Sequence, residues 1–182
     1  MRVLETERLI LRSYEYSDVP ELVRLIGTEE VAATTLRIPY PYTEADAREF
    51  VASTQGPEDS RFAIVIREGH RLCGGIGLRL NREHDRAELG YWIGVPYWGH
   101  GYATEAARTM LEHGFRTLGL HRIFAHHFKN NAASGEVLKK IGMQHEGCLR
   151  GHVKKWGQLI DVEVSQHLDF SYFHQGFCQI LY

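Results

Sequence analysis

Apolar and polar positions change their period several times along the chain, and each change marks an element. The run Arg8-Leu-Ile-Leu-Arg12 predicts a strand. Asp18-Val-Pro20 has the form of a helix start, with a capping Asp followed closely by Pro. Leu22, Val23, Leu25 and Ile26 give that helix its apolar side. A second short helix is predicted from Thr43, where Glu44 and Asp46 put negative charge in the first turn and Ala47, Phe50 and Val51 form the buried stripe. Between the two, the prolines of Thr34–Pro41 predict an extended or looped segment. Three strands follow, Phe62–Arg67, Leu72–Leu80 and Ala87–Val95, with Glu68-Gly-His70 as a hairpin turn and Asn81–Arg86 as a longer polar connection. Apolar residues at Ala103, Ala106, Ala107, Met110, Leu111 and Leu118 then fit a helix over Tyr102–Leu118, stopped by Gly119. A strand (Arg122–Phe128), a helix (Ala132–Ile141, ended by Gly142) and two strands (Gln144–Lys154 and Leu159–Leu168) complete the pattern. The order predicts an α/β or α+β sheet with helices on its faces.

The length of 182 residues, 43% of them apolar, suits a single domain with a substantial core. Twenty-one basic against 23 acidic residues leave a net charge of −2, so a general polyanion-binding surface is not indicated and no direct nucleic-acid binding is expected. No apolar run approaches the ~18 residues of a membrane span, and the first residues do not read as a signal peptide. A soluble, cytoplasmic protein that does not engage membranes is expected. Cys73, Cys148 and Cys178 are far apart and odd in number, which speaks against a disulfide framework or a cysteine zinc site. Among eleven histidines, His126 and His127 are neighbours in a predicted strand and face opposite sides, and no HExxH spacing occurs, so no metal is expected.

The stretch richest in chemistry runs from Glu88 to Glu105. A strand ends near Val95-Pro96, Gly99 and Gly101 follow, and a helix begins at once. Glycines there permit positive φ and keep side chains out of the way, while the first free N–H groups of the helix and its dipole favour an anion such as a phosphate. A tight strand-to-helix turn with no ligand is the alternative. The segment lacks the Gly-Lys-Ser/Thr of a P-loop. It also carries Thr104 where a dinucleotide fingerprint has its third Gly or Ala.

Tyr97-Trp98-Gly99-His100-Gly101-Tyr102-Ala103-Thr104-Glu105-Ala106 resembles the acetyl-CoA pyrophosphate loop of the GNAT N-acetyltransferases, especially the branch that acetylates ribosomal-protein N-termini. The family pattern Gln/Arg-x-x-Gly-x-Gly/Ala falls on Trp98, Gly101 and Ala103, with Trp98 as the departure. Leu4–Arg12, Asn131-Ala-Ala-Ser134 through Met143, and Glu146–Arg150 through Asp161-Val162 are similar to the same branch in the right order, so the resemblance covers about residues 4–168. It implies a GNAT fold: a mixed, mostly antiparallel twisted sheet of about seven strands with a splayed parallel pair and helices on both faces. It also implies acetyl transfer from acetyl-CoA to a primary amine by direct attack in a ternary complex. Pantetheine would pair with the strand edge Ile93-Gly94-Val95, and the pyrophosphate would lie on the amides of Gly99, His100, Gly101, Tyr102, Ala103 and Thr104. Asn131 would contact pantetheine, and Ser134 would protonate the leaving thiolate. Each also reads as a plain helix start, Asn131 as its N-cap.

Glu88, Gly90, Trp92 and Gly94 share one strand face. A Glu beside Trp and glycines, heading into that site, is a candidate general base acting through water; an ion pair with an arginine such as Arg86 is the alternative. Deprotonating a lysine amine at pH 7 costs about 4.6 kcal/mol, and an α-amine about 1.1 kcal/mol. A modest carboxylate base therefore suits an α-amine, with polyamines and a non-catalytic CoA-binding module as alternatives. The aromatic tail Phe170–Tyr182 reads either as packing on the domain or as a homodimer contact.

Overall fold

The computed structural model describes residues 3–56 and 60–169. The tail Phe170–Tyr182, with Cys178 and the dimer contact expected there, lies outside the described residues. Strands β1 (Val3–Glu5) and β2 (Leu9–Arg12) open the chain, followed by helices α1 (Val19–Ile26), α2 (Glu29–Thr34) and α3 (Glu44–Ser53). Then come β3 (Arg61–Ile66), β4 (Arg71–Asn81), β5 (Arg86–Ile93), α4 (Tyr102–Glu112), β6 (Arg122–Phe128), α5 (Ala132–Lys140), β7 (Gln144–Lys155) and β8 (Gln158–Leu168).

The eight strands form one sheet in the order β1-β2-β3-β4-β5-β6-β8-β7. Every neighbouring pair is antiparallel except β5 and β6. The last strand inserts between β6 and β7, so a hairpin contributes both the edge and its inner neighbour. The helices cover both faces. One core cluster packs Ala106, Ala107, Met110, Leu111 and Leu138 from α4 and α5 against Leu9, Leu11, Ile64, Leu89 and Ile123. The other packs Leu22, Leu25, Ala47 and Val51 from α1 and α3 against Ala63, Val65 and Leu72. Each sheet face thus buries the apolar stripe of a different helix pair. Among the described residues no helix is long and apolar enough to cross a membrane.

Differences from the sequence expectation have local causes. β1 is a three-residue edge strand whose burial pattern alternates only weakly. α2 is a six-residue helix started by Thr28, whose side chain accepts from the Val31 N–H at 3.4 Å. The helix expected to run to Leu118 leaves the α-helical pattern after Glu112 and closes with a π-turn over His113–Thr117. β5 stops at Ile93 rather than Val95, because Pro96 sits in a 3-10 turn over Val95–Tyr97.

Candidate active site

The parallel pair β5–β6 is hydrogen-bonded only from Arg86↔Arg122 to Leu89↔Ala125, whereas β5 continues to pair with β4 as far as Ile93. Beyond Leu89 the two parallel strands therefore part, leaving one edge of β5 open. The Gly94 N–H donates to the Cys73 carbonyl at 2.9 Å. The alternation of an antiparallel ladder then turns the backbone of Tyr91 and Ile93 toward the opening. Of the three residues expected at that edge, Ile93 lies on it, with its carbonyl accepting from the Trp98 indole at 2.7 Å. Gly94 faces β4, and its missing side chain makes room for Leu25, whose Cδ2 would lie 2.6 Å from a Cβ there. Val95 has left the strand.

The loop after β5 is built for left-handed backbone. Gly99 and Gly101 have φ of +78° and +79°, and Gly101 is the residue that starts α4. The first backbone bond of the helix is Glu105 N–H to the Gly101 carbonyl at 3.1 Å, so the N–H groups of Tyr102, Ala103 and Thr104 precede the ladder. Thr28, Thr43 and Asn131 cap their helices with side chains, whereas α4 has no side-chain cap. Three uncapped donors and the positive helix end can accept an anion. The His100 ring is turned back into the loop, its Nδ1 2.8 Å from the Trp98 carbonyl and its plane stacked on Tyr102.

Arg8, by local pattern only a strand residue, braces this loop. Its guanidinium donates to the His100 carbonyl at 3.0 Å and to Glu105 at 2.7 Å, and it lies 5.0 Å over the Tyr102 ring. Thr6 donates to the same Glu105 carboxylate at 2.5 Å. The fixed loop thus carries a partly exposed cation.

Glu88 and Tyr91 lie on opposite faces of β5. On the α4–α5 face, the Tyr91 hydroxyl lies 2.8 Å from Ser134 Oγ, and burial pushes its pKa up to about 12, so it remains a neutral hydrogen-bonding group. Asn131 Oδ1 accepts from the Ser134 N–H at 3.2 Å as an N-cap. Tyr91 was missed in the sequence, although strand alternation already placed it opposite Glu88.

On the α1–α3 face, Glu88 Oε1 lies 2.9 Å from His126 Nδ1, while Oε2 is bound by Arg79 and lies 3.4 Å from Arg37. Its carboxyl is held at about 2, first by the His126 hydrogen bond and then by Arg79, against burial that pushes it up. The ion-pair partners are therefore Arg79 and Arg37; Arg86 instead stacks over the Phe124 ring at 5.9 Å. Arg37 comes from the segment after α2. That segment also meets the β7–β8 hairpin, where Lys155 Nζ donates to the Thr35 carbonyl at 2.5 Å and Tyr40 packs on Trp156 at 5.9 Å. Burial drives the Cys73 thiol up to about 12, so it is not a thiolate nucleophile. Among the described residues, no cluster of three or more His, Cys, Asp or Glu is placed to hold a metal.

The profile described as Acetyltransferase (GNAT) domain matches residues 8–144. The uncharacterized N-acetyltransferase p20 of Bacillus licheniformis is 36% identical over 169 residues, covering 89% of this chain and 93% of its own. The solved structure of an acetyltransferase of the GNAT family from Bacillus anthracis superimposes with a TM-score of 0.84 at 28% identity, covering 92% of this chain and 98% of the other. Among more distant structures of the same fold, at 22% identity, the named acceptors are of two kinds, a ribosomal protein and spermidine.

Proposed function

The chain belongs to the GNAT family of N-acetyltransferases, enzymes that move an acetyl group from acetyl-CoA to an amine, and from that premise we propose that its acceptor is the N-terminal α-amine of a protein, such as a ribosomal protein, in the cytoplasm. The observation that carries this reading is the charge around Glu88. Its single carboxylate is already met by Arg79, Arg37 and His126. A polyamine with two or three positive centres would meet guanidinium groups here, whereas a peptide N-terminus brings one charge and loses it at a cost of about 1.1 kcal/mol at pH 7.

Acetyl-CoA is the cosubstrate in this proposal. Its pyrophosphate lies on the amides from Gly99 to Thr104, and its pantetheine arm follows the open edge at Tyr91 and Ile93, with Asn131 beyond. The thioester then sits where β5 and β6 part, so the amine approaches from the Glu88 face and the thiolate departs toward Ser134 and Tyr91. Transfer is direct within a ternary complex; the buried Cys73 thiol offers no acyl-carrying alternative. The described residues form this one catalytic domain. Thiol release from acetyl-CoA, measured against N-terminal peptides, N-blocked lysine peptides and spermidine, tests the acceptor. Turnover with N-terminal peptides at ten or more times the kcat/KM of the others is expected; a preference for spermidine would overturn it.

A further inference from the structure

We propose that His126 is the group that takes the proton from the acceptor amine, with Glu88 as the residue that positions it. This rests on the reading of the site as an amine acetyltransferase and specifies the proton's path.

Three observations carry it. Glu88 is one residue before the last β5–β6 pair and His126 is one residue after it, so the two side chains span the point where the strands separate. Both lie on the same face, because Glu88 is registered with Phe124 and His126 is two residues further on. The 2.9 Å contact engages His126 Nδ1, and among the described residues Nε2 has no hydrogen-bond partner while the side chain keeps a third of its surface exposed. A carboxylate bound to Nδ1 fixes the tautomer with the proton on Nδ1, leaving the lone pair of Nε2 outward. That is the arrangement of an imidazole base oriented by a carboxylate. Glu88, by contrast, has its oxygens committed to His126 and two arginines. The surroundings of His126 are Glu88 from β5, Arg79 from β4 and Arg37 from the segment after α2 through that carboxylate, Phe124 on β6 itself with its ring edge-on at 5.4 Å, and Val164 opposite on β8.

The acceptor arrives as an ammonium ion and gives one proton to His126 Nε2, and the freed nitrogen lone pair attacks the thioester carbonyl carbon. The C–S bond breaks, the amide forms, and the thiolate takes the second nitrogen proton to leave as free thiol. The imidazolium returns its proton to water. Glu88 stays ionised throughout and stabilises the imidazolium while it exists.

The test uses the full chain with acetyl-CoA and a peptide bearing a free N-terminus. His126→Asn keeps a donor for Glu88 and removes the basic nitrogen; His126→Ala opens a space for added imidazole. Both should lose about a hundredfold in kcat/KM, the lower part of the range for general-base loss, with acetyl-CoA affinity by calorimetry unchanged. Imidazole should restore His126→Ala at least tenfold, in proportion to its free-base concentration, and should do nothing for Glu88→Gln, which should lose less than either histidine variant. Histidine variants within threefold of the parent, or a Glu88→Gln defect larger than theirs, would overturn the proposal and leave Glu88 itself as the base. A parent enzyme that binds acetyl-CoA yet releases thiol with no amine would instead overturn the acetyltransferase reading beneath it.

Discussion

Glu88 shows what a residue gains from long-range placement. Strand alternation sets it on a face with Trp92, and its sequence neighbour Arg86 is the partner that local order suggests; the partners that arrive are Arg79, Arg37 and His126, from three other segments. Strand alternation made the face legible, but which arginine crosses to it depends on register and loop path, which no local pattern encodes. The low carboxyl pKa has a consequence for stability. Because the folded value, about 2, lies below the ordinary 4.5, the ionised group stabilises the fold fully above about pH 4.5, and that contribution is lost as pH falls toward 2. Glu88→Gln is expected to lower unfolding free energy at pH 7 by an amount on the order of 2–3 kcal/mol, and the gap from the parent should close between pH 4.5 and 2 in denaturant titrations. A gap independent of pH would assign the loss to packing. On the opposite face, Ser134→Ala should lower turnover by only about tenfold, because a thiol of pKa near 8.5 leaves readily and the Tyr91 hydroxyl remains 2.8 Å from where Oγ was. Combining it with Tyr91→Phe should cost more than the sum of the two separate losses, read from a double-mutant cycle of kcat.

At the scale of elements, the loop from Trp98 to Gly101 and the start of α4 were readable because glycine and proline leave strong local signatures. Gly101→Val should weaken acetyl-CoA binding by at least tenfold. The cause is conformational: a Cβ at Gly101 would meet only an Arg8 nitrogen at 3.5 Å, but φ of +79° is strained for a β-branched residue. Calorimetry showing unchanged affinity would detach the loop from the cofactor. Arg8 was illegible in that role, since its contact with His100 joins residues 92 positions apart. Asn131→Ala should cost about 1 kcal/mol of stability through the lost cap, with any rise in the acetyl-CoA requirement measuring its contact with the cofactor separately. The missed elements, β1 and α2, are three and six residues long, too short for a period to declare itself.

At the scale of the whole molecule, Glu88 with His126 and Tyr91 with Ser134 lie on opposite sides of one sheet, at the point where its parallel pair opens, and the proposed reaction would join the two sides there. The mixed sheet with helices on both faces was legible from element order and resemblance; the insertion of β8 between β6 and β7 was not, because a hairpin's own pattern does not say which of its strands lies inside. That insertion carries the hairpin tip to the Thr34–Pro41 segment, where Lys155 and Trp156 hold it. The same segment carries Arg37 to Glu88, on the face from which the proposed acceptor approaches, so Trp156→Ala should raise the acceptor KM several-fold and leave the acetyl-CoA KM unaltered, in steady-state kinetics with each substrate varied in turn.

Acetyl transfer to an α-amine is read from the position of the acetyl group on a product. A peptide with a free N-terminus and an internal lysine, incubated with enzyme and acetyl-CoA and sequenced by fragmentation mass spectrometry, should carry a single acetyl group on the N-terminal nitrogen. Acetylation of the lysine instead, or an unmodified peptide beside acetylated spermidine in the same mixture, would contradict it.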